Sequence, residues 1–174
     1  LECQLANLAD EIAYNTSDLD DGLRSGILVP RAVAQLAIAR KALTQLDLLN
    51  DADLGEDLQR YRFVRRLVGM EVTDTIRATA ASLTAAGVDS LAALRAQPRN
   101  MAGYSPGMEK DNLELRHFLY DNLYRHYRVM RMAVKAERTL TNLFQAYANR
   151  PDQLPTETRA KVTAEPGSLQ RVVA

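Results

Sequence analysis

EDLQRYRFVRRLVGMEVTDTIRATAASLTAA, residues 56–86, is the stretch that decides the fold class. Leu58, Tyr61, Val64, Val68, Val72, Ile76 and Leu83 recur at helical spacing rather than at every second position, which is the pattern of an α-helix and not of a strand. Gly87 follows as a C-terminal cap, while Gly69 inside the run weakens its regularity. The window predicts one long helix from about Glu56 to Ala86.

Working outward from it gives more of the same. Upstream, Pro30 suits a first helical turn, and Leu36, Ala39, Leu43 and Leu46 predict a core-facing helix that stops near Asn50-Asp51. Leu1, Leu5, Leu8 and Ile12, spaced four, three and four, form the apolar stripe of a first helix. Downstream, Asp89 or Ser90 caps a short helix through Gln97, and Pro98, Gly103, Pro106 and Gly107 mark an irregular connection. From Glu109 to Asn149 the apolar set is helical again (Leu113, Leu119, Leu123, Met130, Val134, Leu140, Phe144, Tyr147). Its phase drifts near Tyr127, so two consecutive helices fit as well as one. Pro151 ends that block, and a connector with Pro155 and Pro166-Gly167 leads to Ser168, an N-cap for a final run. No alternating strand pattern, repeat or low-complexity tract interrupts this, and the expected fold is all-α.

The chain has 174 residues, 47% of them hydrophobic and 25% charged, as a folded domain has and a disordered tail does not. Lys and Arg number 22 and Asp and Glu 22, so no long-range positive field marks a dedicated nucleic-acid binder. A single cysteine, Cys3, excludes an intrachain disulfide framework, and no apolar run reaches the length of a membrane span. The expected location is cytoplasmic. Leu1 falls inside an already amphipathic pattern and 171–174 open a new apolar run, so both ends are expected to be cut.

Three groups of side chains bear on chemistry. Asp10, Tyr14 and Asp18 stand four residues apart, so one helix presents two carboxylates and a phenol as a ridge opposite its apolar stripe; a solvated polar face is the plainer reading. Arg125, Arg128, Arg131, Lys135 and Arg138 share a helix face, with Tyr120, Tyr124 and Tyr127 interleaved. Guanidinium forks suit phosphate oxygens, although on pattern alone solvated charges or ion pairs with neighbouring acids are the plainer reading of such a face. Asp18, Asp20 and Asp21 precede Gly22 without the spacing of a calcium loop, and His117 and His126 lack zinc-ligand spacing. No nucleophile elbow, phosphate loop or dinucleotide fingerprint is present.

LANLADEIAYN (5–15), DLDDGLRSG (18–26), FLYDNLYRHYRVMRM (118–132) and QRVVA (170–174) together resemble the deoxyguanosine-triphosphate triphosphohydrolase (dGTPase-like) family of HD-domain proteins, over essentially the whole chain. The resemblance implies the helical portion of an HD-domain phosphohydrolase with its C-terminal helical region. Residues 1–26 would end the HD-type catalytic core, 27–150 form the helical C-terminal region, and 151–174 a connector with the start of a last helix. It also implies hydrolysis of a deoxynucleoside triphosphate to the deoxynucleoside and inorganic triphosphate. The family holds a divalent metal, Mg or Mn, with a His, a His-Asp pair and a distant Asp, and Asp10 matches the last of these. Tyr14 and Asp18 match positions that contact the substrate sugar near its 3′-hydroxyl, and Arg128 and Arg131 lie in the phosphate-contacting segment. Where the family reads Asn-x-His-Asp, this chain reads Asn15-Thr16-Ser17-Asp18, which puts rate or substrate preference in question more than metal binding. The resemblance further implies a homo-oligomer for the intact protein and an inactive state for these residues alone, since the remaining ligands would precede Leu1; the lack of a span-length apolar run implies no membrane partner. The competing expectation is a noncatalytic helical module that binds nucleotide or single-stranded nucleic acid through the Arg125 to Arg138 face.

Overall fold

In the computed structural model, residues 1–48, 53–164, 168 and 171 are described. All their regular secondary structure is helical, with no strand among them. The chain divides into two compact units, Leu1–His126 and Tyr127–Ala174.

The first unit is built on α1 (Glu2–Arg24), α2 (Pro30–Val33), α3 (Ala37–Gln45), α4 (Asp57–Ala85), α5 (Leu91–Arg95) and α6 (Pro106–Leu119). α6 runs on into a π-helical turn at Tyr120–Tyr124. Helices α1, α3, α4 and α6 surround one core, with Leu19 and Leu23 from α1, Ile38, Ala42 and Leu43 from α3, Phe63 and Leu67 from α4, and Leu115 and Leu119 from α6.

The long helix spans nearly the range its periodicity predicts. Its end is a Schellman arrangement: Gly87, at φ +61°, donates to the Thr84 carbonyl and Val88 to that of Leu83, each at 3.1 Å. Its buried face, however, is not the apolar stripe. Arg60, Phe63, Leu67, Glu71, Thr75 and Thr79 face inward, whereas Leu58, Tyr61, Val72 and Ile76 are exposed. Two of the inward polar residues have local uses: Arg60 pairs with Asp20 of α1 at 2.8 Å and with Asp57 at 2.6 Å, and Thr79 accepts from the Gly103 amide at 3.3 Å.

The segment expected as one helix after Pro30 is two. Leu36 is extended (φ −61°, ψ 141°), and α3 restarts at Ala37, whose amide donates to Glu114 of α6 at 2.9 Å. That carboxylate takes one of the orphan donors of a new helix start from 77 residues away, a partner no local pattern reveals. The expected stop at Asn50-Asp51 lies outside the described residues.

Two further corrections concern the later half. Pro106-Gly107, expected within a loop, opens α6: Pro106 takes the first turn and Ser105 caps it, its Oγ accepting from the Met108 amide at 3.3 Å. Asp74 of α4 in turn accepts from the Ser105 hydroxyl and amide at 2.7 and 2.8 Å.

The second unit contains α7 (Tyr127–Asn149), a 3₁₀ turn at Pro151–Gln153 and α8 (Thr156–Ala164). The phase drift near Tyr127 is thus a true helix boundary, and Pro151 does close the long block. The stretch expected as a connector instead contains a helix. Pro166-Gly167 and all but Arg171 of the final run at 170–174 lie outside the described residues. Among the described residues no helix is long and apolar enough to cross a membrane.

Candidate functional site

α1 is continuous from Glu2 to Arg24 and carries Asp10, Tyr14 and Asp18 one turn apart. Its inward stripe is Ile12, Asn15, Thr16, Leu19, Gly22 and Leu23; Leu5 and Leu8 are only half-buried and Leu1 is exposed. Gly22 allows the tightest approach, because a Cβ there would stand 2.4 Å from Leu28 Cδ1. This packing leaves Asp10 exposed, Tyr14 58% exposed and Asp18 half-buried.

The neighbour of that ridge is Tyr124, from the π-helical turn. Its hydroxyl donates a short hydrogen bond to an Asp18 carboxylate oxygen, across 106 positions of sequence. Its ring lies 6.2 Å from that of Tyr14, tilted by 44°. Burial, then the hydrogen bonds with Asp18 and Tyr14, hold the Tyr124 hydroxyl well above its usual range. Tyr124 therefore remains a protonated donor at neutral pH, and Asp18 the acceptor.

The wide turn makes this meeting possible. On a 3.6-residue helix, Leu119 and Tyr124 would stand about 140° apart. In the π-helical turn the Arg125 amide donates five residues back, to the Tyr120 carbonyl at 3.2 Å, so residues five apart come onto one side. Leu119 and Leu123 then enter the core while Tyr124 reaches α1. The only hint of this in the sequence is that Tyr124 falls within the 118–132 string.

Arg128 and Arg131 belong to the second unit. Both guanidinium carbons sit over the Tyr127 ring, at 6.0 and 5.3 Å from its centroid, on a helix that carries no buried side chain. Arg125 precedes α7 and lies over the Tyr120 ring at 5.5 Å, so the five cations do not belong to one continuous helix.

The described residues do not by themselves fit a metal ion. Among them no three His, Cys, Asp or Glu side chains cluster, and Asp10 offers a lone carboxylate where divalent sites need several ligands.

Ridge and turn thus join three of the four stretches that carry the family likeness, and comparison with known proteins bears that likeness out. Residues 102–174 match the phosphohydrolase-associated domain. The chain is 39% identical over 162 residues to a deoxyguanosinetriphosphate triphosphohydrolase-like protein of Geobacter sulfurreducens, covering 93% of this chain and 42% of that protein. Proteins of the same description from Ralstonia nicotianae (38% over 165 residues; 95% and 42%) and Deinococcus deserti (38% over 173; 99% and 44%) are also similar to it. The chain belongs to the deoxyguanosinetriphosphate triphosphohydrolase-like family and spans less than half the length of these relatives.

Proposed function

We propose that the chain is part of a metal-dependent triphosphohydrolase that splits a deoxynucleoside triphosphate into the deoxynucleoside and inorganic triphosphate. The observation that carries this reading is the Tyr124–Asp18 hydrogen bond with Tyr14 alongside. A carboxylate and two phenols, one phenol held as a donor, form a polar wall able to engage a sugar hydroxyl. Asp10, two turns before Asp18, supplies one ligand to a divalent ion, Mg or Mn, and the other ligands come from outside these 174 residues. When bound, such an ion polarises a phosphoryl oxygen and lowers the pKa of water. Arg128 and Arg131 are assigned to the triphosphate for their charge and forked geometry.

The test is triphosphate release from dGTP and the other dNTPs by the full-length protein, with bound metal measured alongside. Asp10→Ala is expected to abolish release and lower metal content, whereas wild-type turnover and metal in that variant would remove Asp10 from the ligand set. Residues 1–174 alone are expected to hold no metal tightly and to release no triphosphate.

A second reading, noncatalytic binding of nucleotide or single-stranded nucleic acid, draws on the Tyr127 ring with Arg128 and Arg131 over it, since aromatic faces flanked by cations stack bases and hold phosphates. It predicts salt-sensitive oligonucleotide binding lost in Tyr127→Ala. Hydrolysis by the full-length protein with no such binding would decide for the enzyme.

A further inference from the structure

None of the side chains of α7 is buried, yet its apolar residues are not scattered. Val129, Ala133, Ala136, Leu140, Leu143 and Tyr147 follow at steps of four, three, four, three and four, the 3.5-residue repeat by which one helix packs along another. On a helical wheel the six fall within about 80° of one another, and they form a seam about 27 Å long. Leu140 is 65% exposed and Leu143 48%, whereas Val129 and Tyr147 are half-buried, so the seam is open to solvent over most of its length.

The seam is graded by size. The half nearer Tyr127 holds Ala133 and Ala136, and the half nearer Asn149 holds Leu140, Leu143 and Tyr147, with Phe144 alongside. A second α7 laid antiparallel on the first, with the two-fold axis level with Arg138, sets Ala136 against Leu140, Ala133 against Leu143 and Val129 against Tyr147. Every layer then joins a smaller side chain to a larger one, which is how facing helices fill the space between them. Parallel pairing would set each alanine on its own copy and Tyr147 on Tyr147, leaving a gap at one end and crowding at the other. The antiparallel match is self-complementary, as a two-fold interface requires: where one residue meets a second, the second meets the first.

Charge and area agree with a second copy. Arg128, Arg131, Lys135 and Arg138 are centred about 140° from the seam, so two copies meet without bringing these cations together. Glu137, the one charge flanking the seam, comes near its own copy only at the wet rim, where salt screens the pair. For a lipid surface the face is poorly suited, because Ala133 and Ala136 leave its first half shallow and the chain has no Trp to anchor it. In the antiparallel pair Val129, Met132, Leu140, Leu143, Phe144 and Tyr147 of both copies leave water at roughly 60–100 Å² each, about 700–1,200 Å² together, which reaches the ~1,000 Å² at which specific interfaces begin.

We propose that α7 is a docking face for α7 of a second copy of this chain, the two helices packing antiparallel about Arg138 along the seam from Val129 to Tyr147. The interface does not depend on the hydrolytic reading.

Directed cross-linking in the full-length protein tests this. Co-expressed Ala133→Cys and Leu143→Cys subunits are expected to form a disulfide between positions 133 and 143, located by mass spectrometry of the joined peptides. Ala133→Cys alone should cross-link at least tenfold less, because antiparallel pairing holds the two copies of that position about 15 Å apart along the seam, beyond the reach of a disulfide. Leu140→Glu added to both subunits should cut the mixed cross-link at least tenfold, while Arg138→Ala, on the outer side of the helix, should leave it unchanged. No side chain of α7 is buried, so each subunit keeps its fold in these variants. The proposal fails if the mixed pair does not cross-link, which would mean that another segment covers the face. It fails equally if Ala133→Cys alone cross-links as well, which would mean parallel pairing, or if Leu140→Glu has no effect. Co-sedimentation of the protein with phosphatidylcholine–phosphatidylserine vesicles, lost in Leu140→Glu, would assign the face to a lipid surface and also overturn it.

Discussion

Asp18 accepts the Tyr124 hydroxyl and is also the carboxylate proposed to meet the substrate sugar, so the two roles compete for the same oxygens. In the full-length protein, Asp18→Ala is expected to narrow the preference for a dNTP over its 2′,3′-dideoxy analogue by about ten- to hundredfold in kcat/KM, the worth of a hydrogen bond to a charged group at about 1.5–3 kcal/mol. Tyr124→Phe should narrow it less, because the carboxylate stays. An unaltered ratio in both would separate this pair from the sugar. Glu71 gives a second prediction at this scale. Burial raises its pKa from 4.5 to about 7; the Asn112 amide beside it, which favours the ionised form, offsets part of that, and Glu11 adds to it. A carboxyl whose folded pKa lies above its unfolded one contributes its full stabilisation below the unfolded value, near 4.5, and loses it progressively as pH rises through about 7. Urea unfolding of the wild type should thus show stability falling by about 3 kcal/mol from pH 4.5 to 8 on this group's account. Glu71→Gln should flatten that fall; parallel profiles would show that other groups cause it. The Asp10, Tyr14 and Asp18 ridge was legible in the sequence because helical period alone aligns it. Tyr124 was not, since its partner is 106 residues away and a change of helix type sets its direction.

Elements were legible wherever their ends are chemically marked. Gly87 and Ser90 stop and start helices as expected, and Ser90 Oγ accepts from the Ala93 amide at 3.2 Å. They were illegible where the mark is tertiary, as at Ala37, whose cap is Glu114. The inward face of α4 misled for a related reason. Its Arg60 and Thr79 answer to polar groups elsewhere in the unit, while Val64, Val68, Val72 and Ile76 border a groove of about 520 Å³ shared with Leu5, Ile12 and Thr16 of α1. Two glycines separate packing from propensity. Gly69 lies mid-helix with nothing within 4 Å of an added Cβ, so Gly69→Ala should stabilise by roughly 0.5–1 kcal/mol. Gly22→Ala gains the same propensity but drives its Cβ into the buried Leu28, and should cost about 1–2 kcal/mol net. Chemical denaturation of the two variants should move the midpoint in opposite directions; a shift of the same sign would mean that Leu28 yields.

For the molecule as a whole, α1 is the helix with the most uneven support. From Ile12 to Leu23 it is locked into the core, whereas Leu1 is exposed and Leu5 and Leu8 are half-buried. Hydrogen exchange on residues 1–174 should show protection rising along α1, with amides before Ile12 opening at far lower free energy than those after it. Uniform protection from Glu2 onward would mean that the groove beside Leu5 is covered, for instance by a second copy. Neither the groove nor the division after His126 could be foreseen, because both depend on which helix faces meet rather than on which residues alternate. The turn at 120–124 carries a different kind of information. It works as a phase correction: one more residue per turn than the helix before it, and Tyr124 faces Asp18. What matters there is the count of residues as much as their kind. Deleting Asn122, an exposed residue whose amide bonds back to the Phe118 carbonyl at 2.9 Å, would close the turn to ordinary pitch. A chain shortened there by one keeps every side chain of the ridge, and its tyrosine, now four residues after Leu119 and about 40° from it on an α-helical turn, stays in step with them.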